Sequence, residues 1–135
     1  MPDKKSIKKT FIFQSAFEEL EKLEECLNSL EGYNKLSEDK QYEIMLVLSE
    51  AVTNAMEHGN ELDSRKAVKL NVTISTDGIT AEIYDEGHGF IPSKLPNPLH
   101  DEAMLRDHGR GWFLMHHYSS SIEWDDEQKC LKICF

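Results

Sequence analysis

The apolar residues of this chain keep two different periods, and their order along the chain restricts the fold. Ile44, Val47, Leu48, Ala51 and Ala55 recur at 3.6-residue spacing and form one helical sector. Val68, Leu70, Val72 and Ile74 alternate, as a half-buried strand requires. The chain must therefore carry helices and sheet together.

The flanking segments extend this pattern. Lys9 to Phe13 reads as a short strand with Phe11 and Phe13 on one face. Ser15 then opens a helix as its cap, with Glu18 three residues on to complete a capping box. Phe17, Leu20, Leu23, Leu27 and Leu30 form its core stripe, and Gly32 and Asn34 end it. Ser37-Glu-Asp-Lys begins a longer helix that runs to about His58 and stops at Gly59-Asn60. Strands follow at 67–76 and 79–84, joined by the tight turn Thr76-Asp77-Gly78. Residues 91–108 carry Pro92, Pro96 and Pro98 and no sustained period. A loop of this length is usually a lid or a binding loop. A short helix at 111–118 precedes a last hairpin, 121–125 with 129–135, turning at Asp126-Glu127.

Helices interrupting antiparallel pairs predict an α+β sandwich, with helices on one face of a mixed, mostly antiparallel sheet. A regular βαβ nucleotide fold is not predicted, because its alternation is missing. The 135 residues suffice for one domain, 1–135.

Composition removes several function classes. The net charge of −10 argues against a nucleic-acid binder, which needs a basic face. Lys4, Lys5, Lys8 and Lys9 are too few to reverse this. They read as a solvated edge, or as a docking patch for an acidic partner. No apolar run is long enough to span a membrane, and no apolar run of signal-peptide length follows the lysine-rich start. Cys26, Cys130 and Cys134 are an odd set without paired spacing, which suits free thiols in a reducing cytoplasm. Cys130 and Cys134 share a strand face and read as small core residues. The histidines match no metal spacing.

Three segments carry candidate chemistry. Glu50 and Asn54 lie four apart on the second helix, along one margin of its apolar sector. Both side chains would be half buried at a cleft rim. A carboxylate there can accept a proton from a hydroxyl, and an amide oxygen can reach magnesium, which prefers oxygen ligands. Asp85-Glu-Gly-His-Gly89 follows a strand. Its carboxylate can accept from an exocyclic amine, and Gly87 and Gly89 allow close approach to a ring. Gly109-Arg-Gly111 opens a helix whose free N–H groups suit an anion, with Arg106, His108 and Arg110 adding positive charge. Taken singly, these segments also read as a polar helix flank, a β-turn and a loop end.

Jointly they resemble the GHKL ATPase superfamily of gyrase, the heat-shock chaperone, histidine kinases and mismatch-repair ATPases. Within it, the similarity is to the anti-sigma factor serine kinases of bacteria. Residues 48–60 (LSEAVTNAMEHGN) resemble that family's N-box, residues 84–90 (YDEGHGF) its G1 box and residues 109–115 (GRGWFLM) its G2 box. The resemblance covers about residues 10–135 and implies a Bergerat-type two-layer sandwich with ATP under a mobile lid.

By motif position, Asn54 would ligate Mg²⁺ and Asp85 would bind the adenine amino group. Gly87 and Gly89 would shape the base pocket, Gly109 and Gly111 the phosphate loop, and Glu50 would be the general base. Lys94, Arg106 and Arg110 are the candidates for reaching the γ-phosphate. Relatives place a threonine on the penultimate or last strand near the adenine, and Cys130 aligns there. The family phosphorylates a serine on a STAS-type antagonist and sequesters a sigma factor, commonly as a homodimer. The resemblance thus implies a cytoplasmic anti-sigma factor kinase acting by partner switching. No histidine-bearing dimerisation segment or transducer domain fits within 135 residues, which favours a detached kinase over the larger relatives. Two alternatives stay open: an ATP-binding module that sequesters a regulator without kinase activity, and a helper ATPase that hydrolyses ATP to water.

Overall fold

The alternation in the sequence becomes cross-strand rows in a five-stranded sheet, ordered β1-β2-β3-β5-β4. A computed structural model describes residues 6–87 and 109–135, and of residues 109–112 the backbone alone. The strands are β1 (Ile7–Gln14), β2 (Ala67–Ser75), β3 (Gly78–Tyr84), β4 (Ser121–Asp125) and β5 (Cys130–Cys134). All four pairings are antiparallel. One row reads Phe11, Leu70, Ile83, Leu131, Trp124 from edge to edge. Its neighbour reads Thr10, Asn71, Glu82, Lys132, Glu123. The first row belongs to the core and the second to the opposite, polar face, the division expected of an antiparallel sheet covered on one side.

The covering layer is α1 (Lys22–Asn28), α2 (Glu38–Asn54) and α3 (Gly109–Tyr118). Leu23 and Leu27 of α1, and Ile44, Val47, Leu48, Ala51 and Val52 of α2, share one cluster with Val68, Leu70, Ile83 and Leu131 of the sheet. Truncating one of the buried leucines to alanine costs about 2–5 kcal/mol in such a setting. Ser37 caps α2 as expected, its Oγ accepting the Lys40 N–H at 3.1 Å. Lys9, on the edge strand, donates from Nζ to the Ser29 carbonyl at 3.3 Å. That places a cation on the C-terminal end of α1, where the helix dipole favours it.

The first helical segment departs from the sequence reading. Ser15 is not a helix cap: its Oγ donates to the Lys66 carbonyl at 2.9 Å and ties the end of β1 to the chain entering β2. The segment begins as a 3₁₀ turn over Phe17–Glu21 whose N-cap, Ala16, makes no side-chain bond. The reciprocal bond instead comes from Glu19, whose carboxylate accepts the Gln14 N–H at 3.0 Å. The tighter 3₁₀ spacing rotates Phe17 out of the stripe, and it stays 50% exposed while Leu23, Leu27 and Leu30 are buried. The α-helical part ends at Asn28, and Gly32, with φ of 98°, leads a further 3₁₀ turn.

The cysteine reading holds for the burial of Cys130 and not for the face it occupies. Cys130 and Cys134 do share a face, but Leu131 and Ile133 are the residues directed at the helices. Cys130 is buried on the other face, beside Tyr84, whose hydroxyl donates to Gln128 Oε1 at 3.2 Å. No helix among the described residues is long and apolar enough to cross a membrane.

Candidate functional site

The buried sector of α2 ends with Ala51 and Val52, and Glu50 and Asn54 flank it, each partly buried. The predicted half-buried margin is therefore formed. Burial raises the Glu50 carboxyl above the usual carboxylate range. Asn54 donates from Nδ2 to the Sδ of Met115 at 3.8 Å, which directs its amide oxygen the other way. Met115 is fully buried on α3. Gly111 lies four residues before it, one turn towards the helix start on the same side. α3 begins at Gly109, so both glycines of the Gly-Arg-Gly segment occupy its first turn instead of preceding it. The N–H groups of a first turn lack intrahelical partners, so the anion-binding capacity is kept.

Beyond Asn54 the helix widens into one π turn, Ala55–Gly59, closed by the Asn60 N–H to the Ala55 carbonyl at 2.9 Å. This turn carries the chain to the end of β3. A Cβ on Gly59 would collide with the Asp85 side chain, and a Cβ on Gly87 with the Gly59 carbonyl. Two glycines thus let the end of α2 and the turn after β3 touch through backbone. Asp85 Oδ1 accepts the Gly87 N–H at 2.9 Å, which folds that turn.

Asn60 locks the junction. It is fully buried. Its Nδ2 donates to Ser15 Oγ at 2.8 Å and to the Ala67 carbonyl at 3.0 Å. Its Oδ1 accepts the Glu86 N–H at 2.7 Å. The Glu86 carboxylate in turn accepts the Ala67 N–H. From spacing alone, Gly59 and Asn60 are a helix stop at the end of the N-box segment. A Gly-Asn pair at a helix end is ordinary punctuation, and only the tertiary contact gives it a second role. Glu61 and Leu62, with φ of 53° and 57°, follow in left-handed backbone.

The structure therefore ties Asn54 to α3 through Met115 and the end of α2 to the Asp85–Gly87 turn through Gly59, with Glu50 one turn before Asn54 on the same helix. Gly89, Arg106, Lys94 and the whole 91–108 lid lie outside the described residues, and so does the side chain of Arg110. Cys130 does not join the group. Ile83 pairs with Leu131, so Cys130 aligns beside Tyr84 on the sheet face away from the helices. The arrangement offers a half-buried carboxylate, an amide oxygen, a helix N-terminus and an acidic turn with glycines for a flat ligand. This is a set of donors and acceptors suited to a nucleoside phosphate and a hard cation.

Comparison with known proteins bears on the family. Anti-sigma F factor of Priestia megaterium is 37% identical over 87 residues, covering 62% of this chain and 59% of that protein. Anti-sigma F factor of Clostridium perfringens is 33% identical over 94 residues, covering 67% of each. Anti-sigma F factor of Bacillus subtilis is 33% identical over 89 residues, covering 64% of this chain and 61% of that protein. The chain thus spans about three fifths to two thirds of the length of these relatives. The profile of the histidine kinase-like ATPase domain runs further, over residues 13–135, from the end of β1 through the last strand. Strands β2 to β5, helices α1 to α3 and the Asp85–Gly87 turn all fall within that match, and the chain belongs to the histidine kinase-like ATPase domain family.

Proposed function

We propose that this protein is a Mg-ATP-dependent protein serine kinase and anti-sigma factor, phosphorylating a STAS-type antagonist in a partner switch. The observation that carries the proposal is a pair of contacts made by one helix: Asn54 of α2 meets Met115 of α3, and Gly59 just beyond α2 meets the Asp85 side chain. Through them α2 is linked to each of the other two motif segments. The similarity to three anti-sigma F factors supports the regulatory part.

The residues fit the ligand. The missing Cβ atoms of Gly59 and Gly87 let the Asp85 turn seat against the end of α2, and the Asp85 carboxylate can accept from the adenine amine. The first-turn amides of α3 face phosphate, with Gly109 and Gly111 allowing close approach. Mg²⁺ would be held through the Asn54 amide oxygen, and when bound it neutralises charge developing on the phosphates. Glu50 orients the incoming serine hydroxyl and takes its proton as serine Oγ bonds to the γ-phosphorus. The bond to the β,γ-bridging oxygen breaks, and ADP leaves. A carboxyl raised by burial is a better base near neutral pH than an exposed one. The sigma factor and the antagonist serine would meet the protein around this site, and the homodimer, the lid over 91–108, and roles for Gly89, Arg106 and Arg110 belong to the same proposal.

The test uses γ-labelled ATP, Mg²⁺ and cell lysate, with wild type and Glu50→Gln compared. Label on the serine of a small protein with wild type only is the expected result. ATP binding without transferred label would leave a sequestering module. Phosphate release independent of any partner would indicate a helper ATPase. Either of these would overturn the kinase.

A further inference from the structure

We infer that Asn60 is a positioning residue for base recognition: it holds the backbone of the Asp85–Gly87 turn so that the Asp85 carboxylate meets the exocyclic amine of adenine. This rests on the reading of Asp85 given above and adds to it the element that fixes its direction.

The argument is one of constraint. Asp85 is the first residue beyond β3, so no ladder bond of that strand holds the turn that follows. What the turn has instead is its own Gly87 N–H to Asp85 Oδ1 bond, the packing of Gly87 on Gly59, the bond from the Ala67 N–H to the Glu86 carboxylate, and the bond from Glu86 N–H to Asn60. The last is the only one of these made by a fully buried side chain anchored elsewhere. Asn60 spends both kinds of hydrogen-bonding group. Its amide nitrogen reaches the end of β1 and the start of β2, and its oxygen reaches the turn. No other neutral side chain of this size offers two donors and an acceptor in one plane. Aspartate would present oxygens to the Ala67 carbonyl, and serine is too short to span the gap.

The surrounding backbone is bent to keep Asn60 there. The Leu62 N–H bonds back to the Met56 carbonyl at 2.8 Å, and the Asp63 N–H to the Asn60 carbonyl at 3.0 Å. Forming these bonds puts Glu61 and Leu62 in left-handed conformation, which side-chain-bearing residues disfavour. The same turn is continuous with α2 through the π turn, so the part of the site that holds the base and the part carrying Glu50 and Asn54 share one rigid connection.

Loss of Asn60 should therefore loosen base recognition specifically. The experiment measures affinity for ATP and for inosine triphosphate, which has a carbonyl where adenine has its amine. It uses wild type, Asn60→Ala, Asp85→Asn and Ser15→Ala. Wild type should prefer ATP, and Asn60→Ala should lower that preference about tenfold, the scale of one net hydrogen bond. Inosine triphosphate binding should change little. Ser15→Ala removes the anchor to β1 but leaves the Glu86 bond, so it should cost stability and keep the preference.

A folded Asn60→Ala protein with an unchanged ATP preference overturns the inference. An equal loss of preference in Ser15→Ala overturns it too, because the effect would then be general loosening. If Asp85→Asn also keeps the preference, or wild type has none, the reading of Asp85 fails and takes this inference with it. If Asp85→Asn abolishes the preference and Asn60→Ala does not, only this inference falls. Should Asn60→Ala not fold, hydrogen exchange of the wild-type protein decides. A Glu86 amide protected like those of β3 upholds the anchor, and one exchanging like an unprotected turn amide overturns it.

Discussion

Gly59 lies against the side chain of Asp85, so close that a methyl group on it would come within 2.9 Å of the Asp85 Cβ. The two residues are 26 positions apart in sequence and end different elements, α2 with its π turn and β3. Their contact makes the Glu50–Asn54 helix and the acidic turn one unit. A shift in either is felt by the other.

Gly59→Ala tests that unit. The added methyl cannot be accommodated without moving Asp85 or the turn, an overpacking that costs about 1–3 kcal/mol. Urea unfolding should show the loss. Calorimetric titration should show ATP affinity falling by about tenfold or more, as expected for a lost hydrogen bond to the base. Wild-type affinity in the mutant would contradict the junction as a base-side wall.

Glu50→Gln separates binding from transfer. ATP affinity should stay near wild type, while phosphoryl transfer drops by about 10²–10⁴-fold, the usual contribution of a positioned base. The stability change has the opposite sign. Burial holds the folded-state pKa of Glu50 above the unfolded value, so the folded state binds more protons between the two. Its contribution to stability is therefore present at lower pH and is lost as pH rises through that window. Glutamine removes this loss, and melting at neutral pH should show the variant as stable as wild type or more so. The acid limb of the transfer profile should lie above the 4.5 of an ordinary glutamate. A limb at or below that value would contradict the burial.

Glu61→Gly addresses strain beside Asn60. A non-glycine residue at φ of 53° pays a steric penalty of about 1 kcal/mol that glycine avoids, offset in part by glycine's larger unfolded-state entropy. Denaturation should show the variant as stable as wild type or up to about 1 kcal/mol more so. A clear loss would mean that the Glu61 side chain itself stabilises the turn.

Tyr84 should titrate late. Burial first, and then the neighbouring Cys130 thiol, push its hydroxyl from 10 up to about 12. The neutral form is thus favoured by folding, and the stability it lends is lost as pH rises from 10 towards 12. Ultraviolet titration should show one tyrosinate forming near that upper value. Cys130→Ala should lower the midpoint. An ordinary midpoint for every tyrosine would remove the Tyr84–Cys130 contact from consideration.

Most of the architecture was legible because it rests on period. The sector through Ile44, Val47, Leu48 and Ala51 and the alternation through Val68, Leu70 and Val72 led directly to α2 and β2, and all of these residues are buried. Ser37 was legible as a cap because its bond to Lys40 is three residues away in sequence. Ser15 misled because its partner, Lys66, is 51 residues away, and a local rule has no access to it. Cys130 misled for a related reason. Its face is set by the register of β5 against β3, where Ile83 opposite Leu131 puts the buried thiol on the side away from the helices, and a one-residue change of register reverses every side chain.

The sequence by itself determined the element order, the helical sector and the residue types that could hold a nucleoside phosphate, since each follows from spacing within a few residues. Only the tertiary structure decided that Gly59 abuts Asp85, that Asn60 bonds the Glu86 amide, and that Asn54 meets Met115. Those contacts depend on how the sheet stacks under α2 and α3. They are fixed by burial of the whole core rather than by any local pattern.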